Sequence, residues 1–233
     1  MLKHLPPPPL GTTRIVEPFA GSLAYSLAYG LPTTAADANP LMRELWNWLR
    51  TEATIDGLTE LEGKVPAERV SVFSLGLKSP EATLMRLFIS GAYVGQLSSK
   101  ILYGDQHRFD LSKLKAALPS IQKNLSEVMA DYSDCEATCS EPGVMAIVDP
   151  PYLSNTGANY KSKGKDHGSL DPQALLAFIK RLPCPTMVTY GDEAATTFQD
   201  LPWQVACIKK VPILRGGGTR ERTEHYCLLN WST

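Results

Sequence analysis

The chain has 233 residues, 43% of them hydrophobic and 20% charged, enough for one larger domain or one domain carrying an insertion. Lys and Arg number 23 against 24 Asp and Glu, a formal charge of −1 that excludes a globally basic nucleic-acid binder. No apolar run approaches membrane-spanning length, and the proline-rich residues 1–10 lack the apolar core of a signal peptide.

In chain order, Thr13 to Glu17 reads as a short strand running into Pro18, Phe19, Ala20, Gly21 and Ser22, with a helix after it carrying Leu23, Leu27 and Ala28. Thr34 to Asp37 is a second short strand ending on a carboxylate. Pro40 then suits the first turn of a helix through Arg50. Strand, glycine turn, helix, strand and acid in this order form the opening of a Rossmann-like unit.

Residues 51–78 read as an acidic, loop-rich connector. Ser79 starts a helix whose apolar residues (Leu84, Leu87, Phe88, Gly91, Val94) run toward Gly104. Asp110 caps a short helix through Leu118, and Pro119 starts another, with Ile121, Leu125, Val128 and Tyr132 on its apolar face. Val144 to Val148 is a continuous apolar strand of the buried parallel type. A helix from Asp171-Pro172 to Leu182, a buried strand over Thr186 to Tyr190, and a hairpin near 203–211 and 224–231 complete the chain. The expected architecture is α/β, a mostly parallel doubly wound sheet with a C-terminal antiparallel hairpin and a small helical insertion.

The residues that carry chemistry follow the strand ending at Val148: Asp149, Pro150, Pro151 and Tyr152. Ligands of open α/β sheets bind at the carboxyl ends of strands. An exocyclic amine on a nucleobase is a poor nucleophile because its lone pair is delocalised into the ring. A carboxylate and a nearby carbonyl can accept both amine hydrogens and concentrate that pair on nitrogen. Pro150 and Pro151 stiffen the turn and leave its carbonyls available. Tyr152 offers a flat face to a base swung out of its stack. Two prolines after an aspartate also make ordinary surface turns, and the preceding strand and the upstream glycine turn set this one apart.

Glu17 to Ser22, then Asp37 and Asn39, then Asp149 to Tyr152 together resemble the S-adenosylmethionine-dependent DNA adenine-N6 methyltransferases of the Dam-like group. The order of cofactor motif, target-recognition insertion and catalytic tetrapeptide is the same, and Arg215 to Tyr226 is similar to that group's last hairpin. The resemblance implies a class I methyltransferase fold with a catalytic domain over 1–50 and 133–233, and a connector with a candidate recognition insertion over 51–132. It implies that Glu17, Pro18, Phe19, Ala20, Gly21 and Ser22 bend around S-adenosylmethionine, and that Asp37, with Asn39 beside it, accepts the ribose hydroxyls. Taken alone, Asp37 reads better as a helix cap before Pro40, and the surrounding motif reverses that reading. The implied reaction is direct methyl transfer to N6 of a flipped adenine in double-stranded DNA, in the cytoplasm of a prokaryotic or phage-infected cell, without metal or covalent intermediate; the sequence does not give the oligomeric state, and a monomer is the default. Cytosine N4, RNA or a free adenine nucleotide are the alternative acceptors, and a silent nucleic-acid-binding relative is the alternative class.

Two departures bear on cofactor affinity rather than reaction type. Leu23 stands where the family usually carries a second glycine, and would narrow the space beside the cofactor or tilt the helix. The family's N-terminal Trp- and Gly-Gly-Lys-containing segment has no counterpart in these residues. For nucleic acid, Lys161, Lys163 and Lys165 form one basic loop and Arg215, Arg220 and Arg222 a second. Each alone is an ordinary solvated loop, but both lie in residues 153–233, where 10 basic side chains face 7 acidic ones, against 13 and 17 over residues 1–152. Lys78, Arg86, Lys100, Arg108, Lys113 and Lys115 are further donors in the middle region. His4, His107, His167 and His225 have no metal-site spacing. The five cysteines fit neither a disulfide framework nor a zinc site, and Trp46 and Trp48 read as helix packing.

Overall fold

In the computed structural model the described residues are 5–65, 70–89, 101–102, 109–150, 170–191, 198, 201–202, 205–215 and 218–231, with backbone alone for 88–89, 101–102, 205–215 and 218–225. The elements are β1 (Arg14–Glu17), α1 (Ala24–Tyr29), β2 (Thr33–Ala35), α2 (Pro40–Thr51), α3 (Ile55–Gly63), β3 (Val70–Ser71), α4 (Ser79–Ile89), β4 (Ile101–Leu102), α5 (Ser112–Asn124), α6 (Glu136–Cys139), β5 (Val144–Val148), α7 (Pro172–Arg181), β6 (Thr186–Gly191), β7 (Val205–Arg215) and β8 (Gly218–Leu229).

Six strands form one mixed sheet in the order β2-β1-β5-β6-β8-β7. β2, β1, β5 and β6 are mutually parallel, and the hairpin β7–β8 joins β6 antiparallel. This α/β architecture is compatible with a Rossmann-like fold. All five residues of β5 are buried, as a central parallel strand covered on both faces requires. One face packs Ile15, Met145, Ile147 and Met187 against Tyr25 of α1. The other packs Val16, Ala146, Val148 and Val188 against Leu175, Phe178 and Ile179 of α7. Cys135, Cys139, Cys184 and Cys227 are small buried residues of this second cluster.

Three expectations from the sequence are corrected in the middle region. Residues 55–63 form a helix instead of a loop: Thr54 Oγ1 accepts from Gly57 N at 3.0 Å, and Leu58 and Leu61 are buried. Two apolar positions three apart suffice for a one-sided helix, but give too weak a period to read from the sequence. The break at Pro119 does not occur, and α5 runs through it from Ser112 to Asn124. Burial of Leu118 and Ile121 on either side, at about 1.5–3 kcal/mol each, outweighs the one helical hydrogen bond a proline removes.

The third correction concerns residues 125–129, which are extended beside β2 and not helical. Thr33 pairs with Leu125 and Ala36 with Met129, both parallel. Ser126 N donates to Thr33 O and Met129 N to Ala35 O, each at 2.9 Å, so the segment satisfies the open edge of β2. Leu125, Val128 and Tyr132 keep a helical spacing that an extended edge segment accommodates equally well.

α1, α2, α3, α4 and α5 share one apolar cluster that includes Leu23, Leu45, Trp46, Leu58, Met85 and Ile121. Leu23 has φ 48° and ψ 26°, left-handed, at the entrance to α1. A leucine holds this conformation, which favours glycine, at a strain of about 1–2 kcal/mol. Its side chain is only 1% exposed and lies in the crevice lined by Ser26, Leu27, Thr33, Ile121 and Leu125. The leucine therefore fills the core between α1 and α5. Leu23→Gly should relieve the strain yet destabilise by about 1–3 kcal/mol, because deletion of a buried leucine costs more. Urea unfolding measures this, and a more stable variant would contradict it.

Candidate active site

The sheet changes direction of progression between β1 and β5, since β2 lies on one side of β1 and β5 on the other. At such a switch point the connections leave toward opposite faces and open a crevice at the carboxyl ends of the strands. The register fixes what lines it. Glu17 pairs with Ala35, and Val16 with Ala146, so Glu17 stands level with Ile147. Asp37 lies two residues beyond Ala35 and Asp149 two beyond Ile147. Three carboxylates thus end three neighbouring strands.

Glu17 is 4% exposed. Its Oε1 accepts from both Ser26 N at 2.9 Å and Ser26 Oγ at 2.6 Å. Burial pushes its carboxyl up to about 7, against the pull of the two Ser26 donors and with a smaller push from the Asp149 charge. Asp37 is half-buried; its Oδ2 accepts from Gly21 N at 3.2 Å and its Oδ1 from Asn39 N at 2.8 Å. Burial raises its pKa, opposed by these two donors and by Arg43. Each oxygen keeps a further lone pair for a ligand hydroxyl. The helix cap of α2 is Asn39, whose Oδ1 accepts from Leu41 N at 3.0 Å, so Asp37 is not needed for that role.

The turn between β1 and α1 is built tightly. Ala20 N donates to Ala36 O and Leu23 N to Ala20 O, both at 2.7 Å. Gly21 has φ +44°, a conformation that favours glycine. A Cβ placed on it would meet nothing nearer than Phe19 O at 3.9 Å, so the protein leaves the space beside it open. Pro18 and Ala20 are buried, Ser22 is exposed, and the Phe19 ring stacks on Tyr132 at 5.4 Å and 23°. Tyr132 in turn meets Phe178 edge-on at 5.0 Å, which ties the turn to α7.

Asp149 is exposed and Pro150 buried. Thr189 Oγ1 donates to Asp149 Oδ1 and orients the carboxylate. The pairing Val148↔Val188 places Asp149 and Thr189 side by side, each one residue past the matched valines. Pro151, Tyr152, Lys161, Lys163 and Lys165 lie outside the described residues, as do His4, His107 and His167. Arg215, Arg220 and Arg222 are strand positions of the terminal hairpin, opposite Gly218, Ile213 and Val211. In the middle region, Lys115 is committed to Glu62 at 2.7 Å. Among the described residues no group of three or more His, Cys, Asp or Glu could hold a metal ion, and no helix is long and apolar enough to cross a membrane.

Sequence reasoning did not select Ser26, Arg43 or Thr189, and read Trp46 as packing alone. Thr189 was within reach, since aligning the two buried strands by their valines sets it beside Asp149. Ser26, nine residues after Glu17, carries no local signal. No protein-family model matches the chain, and no curated protein matches it.

Proposed function

We propose that the chain is an S-adenosylmethionine-dependent methyltransferase acting on the N6 amino group of adenine in DNA. The observation that carries this reading is the meeting of Glu17, Asp37 and Asp149 at the carboxyl edge of β1, β2 and β5, around an open glycine turn. A mostly parallel sheet closing in an antiparallel hairpin is also the arrangement that the resemblance in the motifs implies.

In this reading Gly21 and Ser22 lie against the cofactor, and Asp37 accepts hydrogen bonds from its ribose hydroxyls. Glu17, buried at the end of β1, holds the start of α1 through Ser26. When bound, the cofactor supplies a sulfonium methyl group that is already electrophilic. Asp149, held by Thr189, accepts an amine hydrogen of the flipped adenine, and Tyr152 stacks on its ring. Positioning is then the protein's main contribution to rate. Lys161, Lys163 and Lys165, together with Arg215, Arg220 and Arg222, which are paired strand positions of the terminal hairpin and not a loop, would meet the phosphates, whose charge makes binding salt-dependent.

Isothermal titration with S-adenosylmethionine tests the cofactor assignment. The wild-type chain should bind, and Asp37→Ala should bind about 10- to 100-fold more weakly, as expected for loss of hydrogen bonds to a charged group. Absence of binding by the wild type, with or without DNA, would contradict the reading.

A further inference from the structure

α2 reaches both loops of the candidate site through two side chains that belong to neither motif. Trp46 is buried, and its indole Nε1 donates to the Gly21 carbonyl oxygen at 3.0 Å. Arg43, three residues earlier and so on the same helix face, donates from Nη1 to Asp37 O at 2.8 Å and to Ala38 O at 2.9 Å. The helix that carries them is itself fixed. Asn39 caps its start, Asn47 Oδ1 accepts from Val128 N at 3.0 Å, and Gln122 Nε2 donates to Ala53 O at 2.8 Å just past its end.

A carbonyl and the N–H that follows it share one rigid plane. Holding Gly21 O therefore sets the direction of the Ser22 N–H in the glycine turn. Holding Ala38 O likewise sets the Asn39 N–H, which is the group that donates to Asp37 Oδ1. The turn and the Asp37 segment already carry their own backbone hydrogen bonds, and the two side-chain donors add a restraint on each of these planes, one on either side of the crevice.

We propose that Trp46 and Arg43 are positioning residues of the cofactor pocket, pre-setting the backbone donors of the glycine turn and the Asp37 carboxylate. This rests on the methyltransferase reading. Trp46→Phe keeps the aromatic packing and loses the N–H. Arg43→Met keeps the stem of a half-buried side chain and loses both hydrogen bonds, so it remains informative should the tryptophan variant fold poorly.

The experiment is S-adenosylmethionine titration of the full chain as wild type, Trp46→Phe, Arg43→Met and Trp48→Phe, with urea unfolding of each. Trp48→Phe trims the same apolar cluster without touching the Gly21 carbonyl. Trp46→Phe and Arg43→Met should each bind about 3- to 10-fold more weakly, the worth of an ordinary hydrogen bond. In turnover the KM for the cofactor should rise while kcat holds. Trp48→Phe should lose stability without losing affinity. Wild-type affinity in both Trp46→Phe and Arg43→Met would overturn the proposal alone, as would affinity losses that simply follow stability across all three variants. Absence of binding by the wild type would overturn the methyltransferase reading and this proposal with it.

Discussion

Asp149→Ala should abolish methyl transfer while leaving the fold and DNA binding nearly intact. The carboxylate is exposed at the end of β5, so its removal costs little stability, within about 0.5 kcal/mol as for other surface substitutions. In the proposed reading, what it removes is the acceptor that would localise the adenine lone pair, a carboxylate oriented by Thr189. Loss of a preorganised electrostatic partner of this kind lowers turnover by about 100- to 1,000-fold or more. Single-turnover transfer of a labelled methyl group measures the effect. Turnover near the wild-type rate in Asp149→Ala would sink the assignment of this residue.

The second large effect concerns Glu17 and runs opposite to the usual behaviour of carboxylates. Burial holds its carboxyl at about 7 in the folded chain, against an ordinary value of 4.5. The folded state therefore binds the proton more tightly than the unfolded chain. Stability from this group is fully present below 4.5, falls as pH rises from 4.5 to 7, and is level above that. The loss over this window is about 3 kcal/mol. Glu17→Gln removes the titration and keeps an oxygen to accept from Ser26. Unfolding of both proteins across pH 4 to 8 should show the wild type losing about 3 kcal/mol relative to the variant. Parallel profiles would show that Glu17 stays ionised in the fold.

The parts of the structure that could be read in the sequence are those where one physical demand dominated. Val144 to Val148 is apolar without interruption, and only a strand covered on both faces asks for that. Pro40 and Asp171-Pro172 place proline where a helix's first turn suits it, and both helices start there. Residues 125–129 differ from the helix expected there because the spacing satisfies two geometries, and the choice is made by the open edge of β2, a partner over ninety residues away. Leu23 shows the same limit at a single residue. The motif gives a narrowed cofactor space or a tilted helix as what a side chain there would do, and says nothing of its packing toward α5.

The candidate site divides in the same manner. Glu17, Asp37 and Asp149 were visible because each closes a strand. The groups that aim them are Ser26, Asn39 N–H, Gly21 N–H, Arg43 and Thr189, and these depend on how strands and helices come into register. Trp46 looked like packing because an indole on an apolar helix face usually is. Its hydrogen bond to Gly21 follows from where α2 docks, which no local pattern encodes.

The central claim is the transfer of a methyl group to adenine in DNA, and its product can be identified directly. The chain would be incubated with isotope-labelled S-adenosylmethionine and mixed-sequence double-stranded DNA, with RNA and free adenine nucleotides in parallel reactions. Each would then be digested to nucleosides and analysed by mass spectrometry. Methyl transfer to adenine in DNA predicts label in N6-methyldeoxyadenosine from the duplex. Label on deoxycytidine, label only in RNA or free nucleotide, or no labelled nucleoside from the duplex would contradict it.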